Sequence, residues 1–355
     1  MNKNKKATIQ DIAKHTGVST GTVDRVIHNR GKVIEEKKKK IKEAIKQLNF
    51  NPNLLARTLA LKKQFVISSL IPKPSNLNSY WTLPKKGIEQ GFLNYGDFGM
   101  IHESHEFSLF NEISFSERAQ LILDRNPDGV IMAPIFEKES RLFINKLSER
   151  NIPFVFIDVN IQIKNCFSYI GPNLKSSGAV AGKLCSSILL NDDDILIVNM
   201  GNKIDGYSNM SIIEKGFREY FKNQSKNPER NIYTLNINSI NKKTVQKQLQ
   251  KFYNKYPNVK AVFVTNSRAH IISQFHKKSN LEKIVVGFDL VKENILEIKK
   301  GNIDYLISQS PVIQGVKSVQ TLFDFFINKK KPLAIQYVPL DIIIKENIDY
   351  YMNSI

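Results

Sequence analysis

The sequence predicts a small all-α helix-turn-helix headpiece followed by an α/β region of two similar parallel-sheet lobes. Three observations predict this division. Apolar residues recur at helical spacing over residues 7–48, whereas from Phe65 onward short apolar strands alternate with amphipathic helices. Residues 1–63 also hold 16 Lys or Arg against 5 Asp or Glu, and therefore +11 of the chain's formal +19.

The first helix is predicted from its cap, its spacing and its end. Thr8 can accept hydrogen bonds from the first backbone N–H groups, and Gly17 supplies the left-handed residue that ends the helix. Between them Ile9, Ile12 and Ala13 share one face. This face is the first part of the predicted headpiece core.

The second helix is predicted to begin after Ser19, which is placed as its cap. Its inward residues are Val23, Val26 and Ile27, and its outer face presents Thr20, Gly21, Thr22 and Arg25. A third amphipathic helix is predicted from Glu35 to Leu48. An outer face of this kind is what a recognition helix lays in the DNA major groove, although an ordinary helical hairpin can share the pattern.

The concentration of positive charge favours the DNA interpretation, because lysine and arginine neutralise the phosphate backbone. The run from Lys37 to Lys40 has two interpretations: contact with phosphates, or a helix face that is only solvated.

Four motifs carry a family resemblance: Thr8-Ile-Gln-Asp-Ile-Ala-Lys, Gly17-Val-Ser-Thr-Gly-Thr-Val-Asp-Arg-Val, Asn29-Arg-Gly-Lys-Val and Phe50-Asn-Pro-Asn-Leu-Leu-Ala-Arg-Thr-Leu-Ala. They resemble the lactose-repressor family of bacterial transcription regulators (LacI/GalR type). The resemblance implies a DNA-binding headpiece at 1–51, a hinge helix at 52–63, and a two-lobed effector-binding and dimerisation domain at 64–355.

The resemblance places Thr20 and Gly21 at two base-reading positions and Arg25 at a guanine-contacting position, where an arginine can bind O6 and N7 together. Gly21 has no side chain with which to read a base. Two departures are Asp24, in place of a small hydroxyl residue, and Ile34, in place of a serine that would cap the third helix. The complete implied DNA-binding set is Thr8, Ser19, Thr20, Gly21, Thr22, Arg25, Asn29, Lys32, Lys37, Asn53, Arg57 and Leu59.

The hinge is predicted from Pro52, from Asn53 as a cap, and from the helix-forming residues that follow. A helix of two turns is marginal in water, so it needs a partner to become ordered. The resemblance implies that paired hinge helices insert Leu59 between base steps in the minor groove. The alternative is a plain linker helix packed on its neighbour.

The α/β region is predicted from two groups of five strands. The strands are Phe65 to Ile71, Gly99 to His102, Gly129 to Ala133, Phe154 to Ile157, Phe167 to Ile170, Ile195 to Val198, Ile232 to Leu235, Ala261 to Val264, Ile284 to Gly287 and Tyr305 to Ser308. Predicted helices include Pro84 to Tyr95, Ser116 to Asp124, Leu174 to Leu190, Ile212 to Phe221, Thr244 to Tyr256 and Val312 to Asn328.

The resemblance implies a periplasmic-binding-protein-like (type I, ribose-binding-like) domain with ligand between its lobes. Lobe 1 is expected at about 64–170 and 306–330, and lobe 2 at about 171–305 and 333–355. The three crossings between lobes are expected near Gly171, near Ser308, and after Pro332.

Polar and aromatic residues follow several predicted strands, at the sheet edge where ligands of open parallel sheets collect. Aromatic faces and hydrogen-bonding carboxylates or amides suit a sugar ring. The candidate ligand-binding residues are Asn78, Tyr80, Trp81, Asp158, Asn160, Asn266, Arg268, Asp289 and Gln309. Each of them singly can instead be structural.

Two arginines that clamp sugar hydroxyls in these relatives correspond here to Val159 and Ile213. Arg268 or Asn160 can substitute for them, or the ligand is something other than an ordinary aldose. The effector is expected to be a sugar or sugar derivative, and the alternative is a non-sugar metabolite such as a purine.

Catalytic motifs are absent from the sequence, so no enzyme activity and no cofactor are predicted. A metal pair at His102 and His105 is a minor alternative. Cys166 and Cys185 are read as reduced packing residues. Without a signal peptide or a long apolar stretch, a cytoplasmic, nucleoid-associated protein is expected, with no membrane partner.

The leading hypothesis is therefore a ligand-controlled regulator that binds pseudo-palindromic double-stranded operator DNA as a homodimer or a tetramer. A sugar-binding receptor would need a signal peptide. A constitutive DNA-binding protein, whose large domain only dimerises, would show the same operator affinity with every small molecule.

Overall fold

The computed structural model describes residues 7–27, 31–48, 50, 63–75, 79–163, 166–190, 193–201, 207–223 and 230–354. Apart from Lys63, the predicted hinge lies outside these residues. Within the described residues, no helix combines the length and the apolar character that crossing a membrane requires.

Three helices form the predicted headpiece: α1 (Ile9–Thr16), α2 (Thr20–Ile27) and α3 (Glu35–Gln47). Thr8 caps α1 reciprocally with Asp11, and Gly17 ends it with φ of 70°. Both features satisfy backbone groups that a short helix leaves without partners. The buried core consists of Ile12, Ala13, Val23, Val26, Ile41 and Ala44.

The first lobe is built on a six-stranded parallel sheet. Its strands are β1 (Phe65–Pro72), β2 (Met100–Phe107), β3 (Gly129–Met132), β4 (Phe154–Ile157), β5 (Ser168–Gly171) and β11 (Ile335–Tyr337), in the spatial order β11-β5-β4-β3-β1-β2. Its helices are α4 (Thr82–Tyr95), α5 (Glu112–Arg125), α6 (Glu137–Glu149) and α12 (Pro311–Phe326). Apolar clusters cover both faces of the sheet.

The second lobe repeats this design. Its strands are β6 (Asp194–Met200), β7 (Ile232–Ile237), β8 (Val259–Val264), β9 (Ile284–Phe288), β10 (Tyr305–Ser308) and β12 (Asp341–Ile343), in the order β12-β10-β9-β8-β6-β7. β12 is antiparallel to β10, and the other pairings are parallel. Its helices are α7 (Leu174–Ser186), α8 (Tyr207–Lys222), α9 (Lys242–Lys255), α10 (Ala269–Lys278), α11 (Lys292–Lys299) and α13 (Ile348–Ser354). The predicted fold class is confirmed.

The lobes divide differently from the prediction at two strands. β10 pairs with β9 in the second sheet, not the first, and β11 pairs with β5 in the first sheet, not the second. The chain therefore crosses between lobes after β5, after β10, and between β11 and β12. The sequence pattern also does not predict α6, α10, α11 or α13, nor the short strands β11 and β12.

Glycines bring two helix pairs into close contact, one pair in each lobe. In α12 a Cβ at Gly315 would lie 2.5 Å from both the Ile88 nitrogen and the Pro84 oxygen of α4. In α7 a Cβ at Gly178 would overlap the carbonyl of Ile213 in α8. Backbone contact of this kind needs residues without side chains. These contacts set the distance between α4 and α12 and between α7 and α8.

The Asp128 carboxylate binds the start of the first lobe through a hydrogen bond and an ion pair. Asp128 accepts a hydrogen bond from the Val66 N–H at 2.9 Å, and its other oxygen lies 2.7 Å from Lys63 Nζ. The chain is thereby fixed to the amino edge of the first sheet from Lys63 onward.

Candidate functional site

The exposed face of α2 carries the predicted base-reading residues. Thr20, Gly21 and Arg25 are exposed, and Thr22 is half-buried. Arg25 Nε donates to the Gly21 carbonyl at 3.2 Å, and its Nη2 lies 3.5 Å from Thr22 Oγ1. A Cβ at Gly21 would have no neighbouring atom within 4 Å, so packing among the described residues does not require glycine there.

Side chains cap one of the two remaining headpiece helices, α2, but not α3. The Thr22 N–H donates to Ser19 Oγ at 3.3 Å, which confirms Ser19 as a side-chain cap of α2. Ile34 precedes α3 without a side-chain cap, as predicted from the loss of serine there. Lys32 and Lys37 are exposed, so both are accessible to a phosphate.

Five candidate residues lie outside the described part of the chain. They are the DNA-binding candidates Asn29, Asn53, Arg57 and Leu59, and the ligand-binding candidate Asn78.

A cavity of about 130 Å³ lies between the lobes at the carboxyl ends of the strands. Seven of the nine candidate ligand-binding residues line it: Tyr80, Trp81, Asp158, Asn266, Arg268, Asp289 and Gln309. Asn160 does not, because Val159 turns inward and is buried while Asn160 is exposed. Asn160 is thus a wrong choice for the cavity wall.

The two aspartates occupy matching positions in the two lobes. Asp158 directly follows β4, and Asp289 directly follows β9. Both have left-handed backbones, with φ of 64° and 66°. Asp158 N–H donates to Ile170 O of the neighbouring strand, and Asp289 N–H to Ile307 O, at 3.3 and 3.0 Å. Each lobe therefore delivers one carboxylate to the cavity by the same backbone device.

Neutral side chains bind both carboxylates. Tyr80 donates its hydroxyl hydrogen to Asp158 Oδ1 at 2.5 Å, and Gln309 Nε2 donates to Asp289 Oδ1 at 3.1 Å. Burial raises the pKa of Asp158 to about 6, opposed by the Tyr80 hydrogen bond. Burial raises the pKa of Asp289 to about 8, opposed by Gln309 and reinforced by the charge of Asp158. The cleft therefore holds carboxyl groups whose ionisation is disfavoured.

Arg268 and Asn266 form the polar side of the second lobe. Arg268 Nη1 donates to the Met200 carbonyl at 3.2 Å, and Asn266 Nδ2 donates to the same oxygen. Asn266 Oδ1 accepts the Arg268 N–H at 3.3 Å. These bonds fix the loop after β8.

An apolar wall faces these polar groups. Val159 and Ile213, which stand where the resembling family has arginines, line the cavity and are 6% and 3% exposed. The lining residues that sequence analysis missed are Leu109, Ile135, Leu174, Asn209, Met210, Thr265 and Ser267. Leu109, Ile135 and Thr265 follow strands, so a strict search of strand ends finds them.

His102 and His105 lie on β2, the edge strand of the first sheet. His102 Nε2 is 2.8 Å from Ser69 Oγ, and its ring stacks on Phe92 with centroids 4.3 Å apart. Burial lowers its pKa to about 4. Among the described residues, no group of three possible metal ligands occurs.

Residues 8–53 match the model of the bacterial regulatory proteins of the lacI family, and residues 68–330 match the periplasmic binding protein domain. The chain carries a headpiece domain of the lacI family and, over most of its length, belongs to the periplasmic binding protein domain family.

Curated relatives to which this chain is similar are transcriptional regulators. The HTH-type transcriptional regulator MalR of Streptococcus pneumoniae is 30% identical over 159 residues, covering 44% of this chain and 46% of that protein. Catabolite control protein A of Staphylococcus aureus is 32% identical over 183 residues, covering 50% and 51%. The ribose operon repressor of Lactococcus lactis is 30% identical over 177 residues, covering 50% of each. The chain spans about half the length of these relatives.

Solved structures match the large domain. A protein of Bacteroides fragilis assigned as a LacI transcriptional regulator superposes with a TM-score of 0.74 at 29% identity, covering 81% of this chain and 100% of that one. GanP, a glucose-galactose binding protein of Geobacillus stearothermophilus, gives 0.68 at 20% identity, covering 81% and 99%. The second likeness concerns the fold alone.

Proposed function

We propose that the chain is a sequence-specific DNA-binding repressor whose operator affinity is controlled by a small ligand bound between the lobes. One observation carries this proposal: a headpiece with an exposed α2 face and a two-lobed domain with an acidic, aromatic cleft occur in one chain. The ligand is a sugar or sugar derivative, which the name of the ribose operon repressor supports. No catalytic role is proposed.

On the DNA side, Arg25 and Thr20 read base edges, while Lys32, Lys37 and the other lysines of the headpiece bind phosphates. The partner is pseudo-palindromic operator DNA, because a homodimer or tetramer presents headpieces in two-fold pairs. The hinge residues Asn53 and Leu59 bind the minor groove. A cytoplasmic, nucleoid-associated location follows from this role.

On the ligand side, closure of the lobes changes the orientation of the first lobe, to whose amino edge Lys63 and Val66 are fixed by Asp128. Ligand must bind the DNA-competent and DNA-incompetent states with different affinities, since equal affinity shifts no equilibrium. The spacing of the two headpieces is the property that this movement changes.

The test starts with selection of bound sequences by the intact chain from a random double-stranded pool, followed by fluorescence anisotropy on the selected operator. Arg25→Ala should remove preference at one base pair. Arg118→Ala is the matched control, because it removes the same charge from an exposed site on α5. Absence of any selected sequence would contradict the DNA-binding role.

The ligand arm repeats the anisotropy measurement with mono- and disaccharides, sugar acids and purines. A change of operator affinity with one of these compounds supports ligand control. Unchanged affinity across the whole panel would favour a constitutive DNA-binding protein instead.

A further inference from the structure

The cleft brings two carboxylates from different lobes to one small cavity. Asp158 and Asp289 both line it, Asp289 is buried and Asp158 is half-buried, and the charge of Asp158 raises the pKa of Asp289. Like charges in a buried site repel more strongly than on a surface, because water screens them less. The charge of Asp158 therefore opposes the ionisation of Asp289 in this cavity.

The described surroundings of these carboxylates supply hydrogen bonds but little countercharge. Their hydrogen-bond partners among the described residues are the Tyr80 hydroxyl and the Gln309 amide, and in this part of the chain no lysine or arginine nitrogen lies within 4 Å of either carboxylate. Within the described cavity wall, the titratable or charged groups that face them are Tyr80, Tyr169 and Arg268. Among the described lining residues, one arginine therefore faces two carboxyl groups.

Arg268 does not offset both acids in this geometry. Its Nη1 donates to the Met200 carbonyl and its backbone N–H to Asn266, so the side chain is held on the second lobe. The other described lining residues are neutral, and the wall formed by Val159, Ile213 and Met210 is apolar and buried. Beside an apolar wall, an ionised carboxylate without a countercharge has a high free energy. A hydrogen-bonded cation lowers that free energy.

We propose that the ligand of this cleft carries a protonated amine, which binds between Asp158 of the first lobe and Asp289 of the second. The chemical class is an amino sugar or another small hydroxylated amine. Tyr80 and Trp81, whose rings meet edge to face at 5.4 Å between centroids, flank the ligand ring, and Gln309 orients the Asp289 carboxylate. This inference rests on the proposed ligand control and names the ligand class.

An ammonium group between the carboxylates also links ligand binding to proton release. The pKa of Asp289 is about 8 without ligand, so the carboxyl is mostly protonated at pH 7. A cation stabilises the ionised form, lowers that pKa, and expels the proton. A neutral sugar that accepts a hydrogen bond from the protonated carboxyl releases none.

The experiment compares matched pairs on the intact chain by isothermal titration calorimetry at pH 7. The pairs are D-glucosamine with D-glucose, D-galactosamine with D-galactose, and D-mannosamine with D-mannose. In at least one pair we expect the amine to bind at least about tenfold more tightly, equivalent to about 1.4 kcal/mol. Titrations in phosphate and in Tris, which differ in ionisation enthalpy, should show proton release with the amine only.

Asp289→Asn should reduce the ratio of amine to neutral affinity towards one and abolish the proton release. Asparagine keeps the shape and tolerates the left-handed backbone at φ of 66°. Asp97→Asn, on an exposed turn of the first lobe, is the matched control and should leave the ratio unchanged.

The outcomes separate this inference from the proposed function. Neutral sugars that bind as tightly as their amines in every pair overturn the amine assignment and leave sugar control standing. If none of the six compounds binds, the amine assignment also fails, and if operator affinity is equally unaffected by the wider panel, ligand control fails with it.

Discussion

The contact between α4 and α12 makes a prediction whose size follows from one distance. A Cβ added at Gly315 would lie 2.5 Å from the Ile88 nitrogen and the Pro84 oxygen of the facing helix. Non-bonded heavy atoms need about 3.5 Å, so Gly315→Ala must separate the helices by about 1 Å. Both atoms belong to the backbone, so rotation of a side chain cannot relieve the overlap. Overpacking of this kind costs about 1–3 kcal/mol.

The assay is thermal unfolding of the intact chain followed by circular dichroism. For a unit of this size 1 kcal/mol corresponds to about 2–4 °C, so we expect the melting temperature to fall by about 2–12 °C. Gly96→Ala is the control, because its Cβ would meet nothing within 4 Å and its φ of −58° suits alanine. That variant should gain about 0.4–1 kcal/mol. Equal melting temperatures for the Gly315 variant and the parent chain would refute the close-contact argument.

Three further predictions concern single side chains. Arg25→Ala should weaken operator binding by about 1–3 kcal/mol and relax one base position, and unchanged base preferences in anisotropy assays would remove its assigned role. Ile34→Ser should add a side-chain cap to α3, where none exists, and slow hydrogen exchange of its first amides by about 1 kcal/mol of added stability. No slowing would mean that water already satisfies those groups. Burial raises the pKa of Asp289 from 3.8 to about 8, so its protonated form stabilises the ligand-free fold fully below pH 3.8, and this contribution is lost as pH rises towards 8. The melting temperature of the parent chain should therefore fall more between pH 5 and pH 8 than that of Asp289→Asn, which cannot titrate, and identical profiles would contradict the shift.

The headpiece and the strand order of each lobe differ in how well sequence predicts them. The caps at Thr8, Ser19 and Gly17 are local, so their residues alone predict the limits of α1 and the start of α2. β11 has only three residues and is formed by pairing with β5, which is distant in the sequence. The local sequence pattern does not contain the information that predicts this pairing. For the same reason the lobe assignments of β10 and β11 could not be read from the sequence.

The candidate cleft shows the same distinction. Residues directly after strands, such as Asp158 and Asp289, reach the cavity because the strand fixes their direction. Asn160 is only two positions further along the chain, yet the left-handed turn at Asp158 directs it outward. Met210 and Ile213 reach the cavity from α8, whose position depends on the glycine contact with α7, so only the folded chain brings them there.

The placement of one aspartate in each lobe has a thermodynamic consequence. A ligand that binds both carboxylates spans two bodies, so its affinity contains the free energy of bringing those bodies together. For a regulator of the proposed kind, linkage then requires reciprocity: operator DNA must change the ligand's dissociation constant by the same factor by which saturating ligand changes that of the operator. Titrating the chain with ligand, once with operator DNA present and once without it, therefore measures the coupling free energy between the two sites.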